Sequence, residues 1–189
     1  MTSFDLESHS GTRHIITDPQ PDDILIEDIA HGLSMQCRYN GAVERFYSVA
    51  EHSVIVVNTL AATYPDHPRL KQLLMIGLLH DAAEAYLGDI VRGLKYKLPY
   101  YLDLENKWLR VIFESFGILT SDIDLFWEMV KDADDEVLAT EASMLLKSKG
   151  VGWNVMKNHS PHKAIKHDFK CYVPTEAKQA FMDKWVALS

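Results

Sequence analysis

The sequence contains few cysteines. Cys37 and Cys171 are its two cysteines among 189 residues, and they lie far apart without a Cys-x-x-Cys spacing. A disulfide framework needs more cysteines, and a thiolate zinc site needs closely spaced pairs. We therefore predict two reduced cysteines and no thiolate metal site.

Long hydrophobic runs are also missing. The longest apolar runs, such as residues 73–79, are much shorter than the roughly 20 residues that a helix needs to cross a bilayer. The first residues lack the basic and then apolar pattern of a secretory signal. These features predict a cytoplasmic protein with no membrane partner.

Positive charge is scarce in this chain. Lys and Arg total 19 residues against 27 Asp and Glu, which gives a formal net charge of −8. A nucleic-acid groove needs clustered basic residues, so this balance argues against a nucleic-acid polymer as a partner. A small anionic substrate is compatible with it, because a bound cation and a few basic residues can reverse the local potential.

The sequence shows no internal repeat and no alternation long enough for a core strand. Apolar residues recur with helical spacing in six segments, and the length suits one domain, residues 1–189. Residues 1–23 are expected to form an ordered arm or a short hairpin, and residues 150–189 a C-terminal segment that packs on the core. We predict an all-helical domain of five to seven helices. The predicted helices span residues 24–38, 46–63, 69–87, 100–116, 121–148 and 175–188.

Three polar residues lie at the end of the apolar run in the third predicted helix. At about 100° per residue, Glu84 falls roughly 40° from His80 and Asp81 roughly 100° from it. One helix then directs an imidazole and two carboxyl groups toward one pocket. Unpaired charge in apolar surroundings is costly, so this group needs a partner.

Two other predicted helices supply matching groups. His52 shares an apolar stripe with its neighbours, and Asp134 lies on the apolar side of the acidic cluster at residues 132–136. Taken alone, each histidine is more simply a buried ring bonded to the backbone. Two inward histidines together with Asp81 and Asp134 are the ligand types that a divalent cation prefers.

These residues give the chain a resemblance to the HD-domain phosphohydrolases, which are named for their His-Asp doublet. The resemblance covers roughly residues 11–147, and it is strongest in four segments that follow one another in order: residues 26–31, 37–41, 46–53 and 80–85. The segments are similar to the small nucleotide-directed branch. That branch contains bacterial 5′-deoxynucleotidases and phage enzymes that hydrolyse dATP to deoxyadenosine and triphosphate.

The resemblance implies one divalent cation, with the four ligands His52, His80, Asp81 and Asp134. Asp132 and Asp135 are neighbouring alternatives, and residues 138–141 favour Asp134 over them. The ligand types suit Mn²⁺, Co²⁺, Fe²⁺, Zn²⁺ or Mg²⁺ without choosing among these ions.

Asp81 and Glu84 are the predicted catalytic residues. Glu84 lies one turn beyond His80, where it is expected to orient the attacking water or move its proton, as the resemblance also implies. The simpler interpretation of Glu84 is a solvated acid at a helix end. Two nearby basic residues, Arg92 and Lys97, are expected to be solvated.

Four further residues are predicted to bind substrate. Arg38 lies 14 residues before His52, close to the position of a phosphate-binding arginine in the similar branch, and its planar fork suits phosphate. Lys95 is the second candidate for phosphate. Asp89 resembles the aspartate that selects 2′-deoxyribose in deoxynucleotidases, and Tyr39 is expected to pack on the sugar or base, or else to be an ordinary aromatic residue near the core.

The leading hypothesis is a metal-dependent phosphohydrolase of small nucleotides, in particular 2′-deoxynucleotides. Release of phosphate from a dNMP and release of triphosphate from a dNTP both remain open, since both reactions use the same ligands. The alternative is a non-catalytic nucleotide- or metal-binding module. Hydrolysis of the guanosine alarmone is disfavoured because HD enzymes of that type usually carry a Glu-Asp pair where this chain has Glu84 and Ala85. The resemblance also implies a homodimer or a higher homo-oligomer.

Overall fold

Helices make up most of the fold, as the sequence predicts. The computed structural model describes residues 4–161 and 169–189. Within these ranges six helices have ten residues or more and two are single turns, which confirms the all-helical class. The helices are α1 (Ile26–Met35), α2 (Val49–Thr63), α3 (Leu70–Leu79), α4 (Glu84–Leu87), α5 (Arg92–Lys95), α6 (Pro99–Ser115), α7 (Thr120–Leu145) and α8 (Pro174–Leu188).

The chain begins with a small antiparallel hairpin. Strand β1 (Leu6–Glu7) pairs with β2 (Arg13–His14), and Leu6 lies opposite His14. The hairpin is fastened to α1 at Asp28, whose carboxylate accepts hydrogen bonds from Ser8 and Ser10. It is fastened to α6 through Trp108, whose Nε1 donates to the Ile16 carbonyl at 2.9 Å.

Helix α2 lies at the centre of the core. It packs against α1, α3, α7 and α8, and its apolar residues Val56 and Leu60 are fully buried. The absence of a side chain at Gly77 lets α3 approach α2 closely, because a Cβ there would lie 2.4 Å from Leu60 Cδ1. This packing brings the N-terminal half of α2 next to the end of α3, where the polar residues lie.

The prediction of one continuous helix over residues 69–87 is wrong. Helix α3 ends at Leu79, and residues 80–83 form tight turns in which hydrogen bonds span three residues, for example from Glu84 N to Asp81 O. The Gly77 carbonyl, which is the acceptor for residue 81 in a continuous helix, contacts His80 Nδ1 at 2.8 Å. Glu84 therefore begins the new helix α4, which ends at Gly88 as predicted.

The remaining predicted boundaries differ by a few residues from those observed. The predicted connection between residues 88 and 100 contains the single turn α5. Of the predicted C-terminal segment, residues 162–168 lie outside the described residues, as do residues 1–3 of the N-terminal arm. Among the helices that the structure describes, none has the length and apolar character needed to span a bilayer.

Candidate metal centre

Two buried imidazole rings meet where α2 approaches the end of α3. His52 and His80 are 0% and 2% exposed, and their Nε2 atoms lie 3.4 Å apart. His52 is held near the start of α2, whose N-cap Ser48 accepts a hydrogen bond from Glu51 N. His80 follows the last residue of α3. The convergence predicted from sequence spacing is therefore present.

The hydrogen-bond partners of the two Nδ1 atoms determine whether the Nε2 atoms can act as metal ligands. His52 Nδ1 lies 2.7 Å from Glu141 Oε1, and His80 Nδ1 lies 2.8 Å from the Gly77 carbonyl oxygen. An ionised carboxylate and a carbonyl oxygen only accept hydrogen bonds, so each Nδ1 is the donor. When both rings are neutral, as ligation of a cation requires, both Nε2 atoms carry lone pairs that face each other.

Two carboxylates complete this group. Asp81 Oδ2 lies 3.2 Å from His80 Nε2 and 3.7 Å from His52 Nε2. Asp134 Oδ1 lies 3.2 Å from His52 Nε2 and 3.9 Å from His80 Nε2. Donor atoms of His52, His80 and Asp81 lie within 4.8 Å of one another, so this cluster could hold a metal ion.

The choice among the three neighbouring aspartates follows from their positions on α7. Asp134 is 4% exposed and faces the two histidines, whereas Asp132 is exposed. Asp135 is half-buried and pairs with Arg92. The structure therefore brings Asp134 to the two histidines, although Asp134 lies outside the group of His52, His80 and Asp81 whose donor atoms are within 4.8 Å of one another.

The local electrostatic field favours positive charge at His52. Burial and the Arg38 guanidinium oppose protonation, but Glu141 and Asp134 outweigh them and raise the pKa of His52 to about 9. Burial alone would raise the pKa values of Asp81 and Asp134. Contact with His80 nevertheless lowers the pKa of Asp81, and Lys131 with His52 lowers the pKa of Asp134, so both carboxyl groups are ionised.

The second predicted catalytic residue, Glu84, is buried rather than solvated. It is 3% exposed; its Oε1 accepts a hydrogen bond from Lys95 Nζ at 3.0 Å, and its Oε2 has no hydrogen-bond partner among the described residues. Burial, reinforced by the nearby charge of Asp81, raises the pKa of Glu84 well above its ordinary value. Its interpretation as a solvated helix-end acid is excluded.

Lys95 bridges Glu84 and the helix that follows. Its Nζ lies 2.7 Å from Glu105 Oε1 on α6, in addition to its bond with Glu84. Burial would lower the pKa of this ammonium group, but Glu84 and Asp81 raise it. Lys95 is therefore a fixed positive charge beside the cluster.

Arg38 contacts Asp81 and Glu141, and Tyr39 contacts Glu141. The Arg38 Nη1 atom is 3.6 Å from Asp81 Oδ2, and Nε and Nη2 are each 3.3 Å from Glu141 Oε2. Tyr39 has a φ of 58°, a left-handed conformation that is uncommon for a residue with a side chain. Its hydroxyl donates to Glu141, and its ring makes an edge contact with Trp153.

Asp89 is half-buried and is tied to α4 by Gln36. The Gln36 side chain donates to the Glu84 carbonyl oxygen and accepts from the Asp89 backbone N–H, each at 2.6 Å. Burial raises the pKa of Asp89, which Asp81 raises further and Arg38 lowers. Every predicted site residue thus lies in one connected region.

Arg92 is exposed, in line with the expectation that it is solvated, and it also forms ion pairs with α7. Its Nη2 atom lies 3.3 Å from Asp134 Oδ2, and Nη1 lies 2.6 Å from Asp135 Oδ1, although the side chain remains partly exposed. Lys131 also contacts Asp134 Oδ2, at 2.7 Å. Arg92 lies on the unpredicted turn α5, from which it reaches the two aspartates on α7.

Sequence reasoning assigned no role to Glu141. This residue is fully buried, and its carboxylate contacts His52, Arg38, Tyr39 and Tyr47. Burial raises its pKa, but Arg38 and His52 outweigh burial and lower the value to about 2. The available signal was the placement of an acid on the apolar side of α7, where a buried charge needs partners.

Comparison with known proteins identifies two similar bacterial chains. The uncharacterized protein YfdR of Escherichia coli K12 is 35% identical over 152 residues, which cover 80% of this chain and 78% of YfdR. An uncharacterized protein of Rhodobacter capsulatus is 39% identical over 112 residues, covering 58% of this chain and 56% of the relative. No protein-family model matches the chain.

Proposed function

The chain belongs to the same family as the Escherichia coli protein YfdR, and from its histidine-carboxylate cluster we propose that it is a metal-dependent phosphohydrolase of small nucleotides. The observation that carries the proposal is the 3.4 Å approach of two Nε2 atoms whose rings both donate through Nδ1. Buried lone pairs in this arrangement, flanked by two ionised carboxylates, favour a divalent cation.

The residues that would hold this ion are His52, His80, Asp81 and Asp134. Imidazole and carboxylate ligands suit Mn²⁺, Co²⁺, Fe²⁺, Zn²⁺ or Mg²⁺. When bound, such an ion polarises a phosphoryl oxygen and lowers the pKa of a coordinated water.

Glu84 is the proposed general base. One oxygen of its carboxyl group is bonded to Lys95, and the other is buried without a partner among the described residues. This second oxygen is the one proposed to accept a proton from the attacking water. Burial favours the neutral form that results from the transfer. In this proposal the ionised form of Glu84, stabilised by Lys95, orients the attacking water and accepts its proton.

Arg38 and Lys95 supply positive charge for the substrate phosphate. The Arg38 Nη1 atom faces Asp81, and the Lys95 ammonium group lies at Glu84, so the two cations flank the cluster from different segments. A phosphate group between them receives charge-assisted hydrogen bonds. Asp89 is proposed to contact the sugar of a 2′-deoxynucleotide, and Tyr39 with Trp153 its sugar or base.

Product analysis by chromatography tests the proposal. The purified protein is incubated with each dNMP, dNTP and rNTP in Mn²⁺, Co²⁺ or Mg²⁺, beside the variants Asp81→Ala and Asp134→Ala. We expect inorganic phosphate from dNMPs, or a deoxynucleoside and triphosphate from a dNTP, and no product with either variant.

Asp132→Ala is the matched control, since it removes an exposed aspartate two residues from Asp134 and should retain turnover. Equal turnover by Asp81→Ala would refute the proposed centre. Nucleotide binding without turnover in any ion would favour the alternative, a non-catalytic binding module.

A further inference from the structure

Glu141 joins two parts of the site that the proposed function treats separately. Its carboxylate lies on α7, fully buried, and its two oxygens have different partners. Oε1 contacts His52 Nδ1 and accepts a hydrogen bond from Tyr47, at 2.7 and 2.8 Å. Oε2 accepts from the Tyr39 hydroxyl and the Arg38 guanidinium.

The Oε1 side controls which nitrogen of His52 faces the cluster. An acceptor at Nδ1 keeps the proton on that atom, so Nε2 is left as the ligand nitrogen beside His80. Tyr47, which is also fully buried, holds Oε1 in place. A carboxylate in this position both orients an imidazole and increases its basicity toward a metal ion.

The Oε2 side controls the direction of Arg38. Glu141 Oε2 lies 3.3 Å from both Nε and Nη2 of Arg38, whereas Nη1 lies near Asp81. Without this contact the guanidinium would be a buried charge with Asp81 as its remaining ion-pair partner among the described residues. Tyr39, which like Asn40 has a left-handed backbone conformation, donates its hydroxyl hydrogen bond to the same oxygen.

We propose that Glu141 is a positioning residue that holds the metal-ligand histidine through one carboxylate oxygen and the phosphate-binding arginine through the other. This inference rests on the proposed function for the roles of His52 and Arg38. Its consequence is that one substitution on α7 weakens metal binding and substrate binding together, whereas the two tyrosines allow each effect to be changed separately.

Glu141→Gln is the principal variant. It keeps the size of the side chain, but its amide nitrogen donates where either His52 or Arg38 needs an acceptor. Titration calorimetry with Mn²⁺ or Co²⁺ should show metal affinity that is about 10- to 100-fold weaker than wild type, the range found when such outer partners are removed. The ¹⁵N chemical shifts of the His52 ring, measured without metal or nucleotide and at a pH above about 9 so that the ring is neutral, should show loss of the Nδ1–H form.

Variants of Tyr47 and Tyr39 distinguish the role of Glu141 Oε1 from that of Oε2. Tyr47→Phe removes a partner of Oε1 and should weaken metal affinity with little change in the KM measured at saturating metal. Tyr39→Phe removes a partner of Oε2 and should raise KM while metal affinity stays at the wild-type value. Both substitutions remove a single hydroxyl, so they also test the proposal if Glu141→Gln does not fold.

Glu51→Gln is the matched control for a buried glutamate. Glu51 is 1% exposed and accepts hydrogen bonds from the backbone N–H groups of residues 170–172. Within the part of the chain that the structure describes, its carboxylate makes no hydrogen bond to a predicted site residue. It should lower stability while leaving metal affinity and the His52 ring shifts unchanged. Wild-type metal affinity and unchanged ring shifts in Glu141→Gln would overturn the proposal, as would equal losses of affinity in Glu51→Gln.

The metal and ring measurements need no nucleotide, so they separate this proposal from the proposed function. A wild-type protein that binds the cation but hydrolyses no nucleotide contradicts the phosphohydrolase alone. A wild-type protein that binds none of the ions tested contradicts both.

Discussion

His14 is buried in a different way from the histidines of the cluster. It is 2% exposed, and neither ring nitrogen has a hydrogen-bond partner among the described residues. The ring lies edge-on to Tyr86 and Trp108, with centroid distances of 5.2 and 5.6 Å. Burial lowers the pKa of His14, although Asp23 and Asp28 act in the opposite direction.

The pKa of His14 predicts a pH effect on stability. In the unfolded chain the ring titrates near its ordinary value of about 6.5, above its pKa in the folded state. As the pH falls below that value the unfolded state binds more protons, so the free energy of unfolding decreases. We expect His14→Phe to show a smaller decrease between about pH 7 and pH 5 than wild type.

Urea unfolding at a series of pH values measures this difference. The contributions of groups that titrate in both proteins, such as His52, cancel when one curve of unfolding free energy against pH is subtracted from the other. Identical pH slopes for wild type and His14→Phe would show that His14 contributes nothing to the pH dependence.

The sequence predicts which polar side chains point inward, and it does not predict their partners. His52, His80 and Asp134 follow from apolar spacing, because a helix places residues three and four apart on one face. Glu141 lies 89 residues from His52 and meets it through the packing of α7 on α2. A contact of that kind depends on how helices cross, which spacing within one helix does not contain.

At the scale of elements, the six long helices were predictable and the short ones were not. Amphipathic spacing over ten or more residues is a strong signal, whereas the single turns α4 and α5 contain four residues each. The break before α4 coincides with the hydrogen bond between His80 and the Gly77 carbonyl oxygen. The side chain of His80 then competes with a backbone N–H for this acceptor, and apolar spacing does not reveal such a competition. These two turns carry Glu84, Arg92 and Lys95.

The packing of α1 on α4 provides an element-scale prediction. A Cβ added at Gly32 would lie 2.9 Å from the Cβ and the carbonyl oxygen of Ala85. Gly32→Ala should therefore push α4 away from α1 and lower the free energy of unfolding by about 1–3 kcal/mol. Turnover should fall as well, because α4 begins with Glu84.

Gly93→Ala is the control for this substitution. A Cβ at Gly93, in α5, meets nothing within 4 Å. Alanine there should leave stability unchanged or raise it by up to about 1 kcal/mol, through helix propensity. Denaturant unfolding of both variants compares them, and equal stability of Gly32→Ala and wild type would contradict the close approach of α1 and α4.

At the scale of the whole molecule, the cluster is assembled from distant parts of the chain. His52 comes from α2, His80 and Asp81 from the turn after α3, and Asp134 from α7. The helical class was predictable because it depends on periodicity. The charge network around the cluster was not, since it depends on side chains that meet only after the helices pack.

Metal removal and replacement tests the central claim most directly. The protein is treated with a chelator, dialysed, and assayed for release of phosphate or triphosphate from deoxynucleotides as Mn²⁺, Co²⁺, Fe²⁺, Zn²⁺ or Mg²⁺ is added back. We expect hydrolysis to disappear on chelation and to return with at least one ion, in wild type and Asp132→Ala but not in Asp134→Ala. Hydrolysis that survives chelation, or that returns equally in Asp134→Ala, would contradict a metal-dependent centre at these residues.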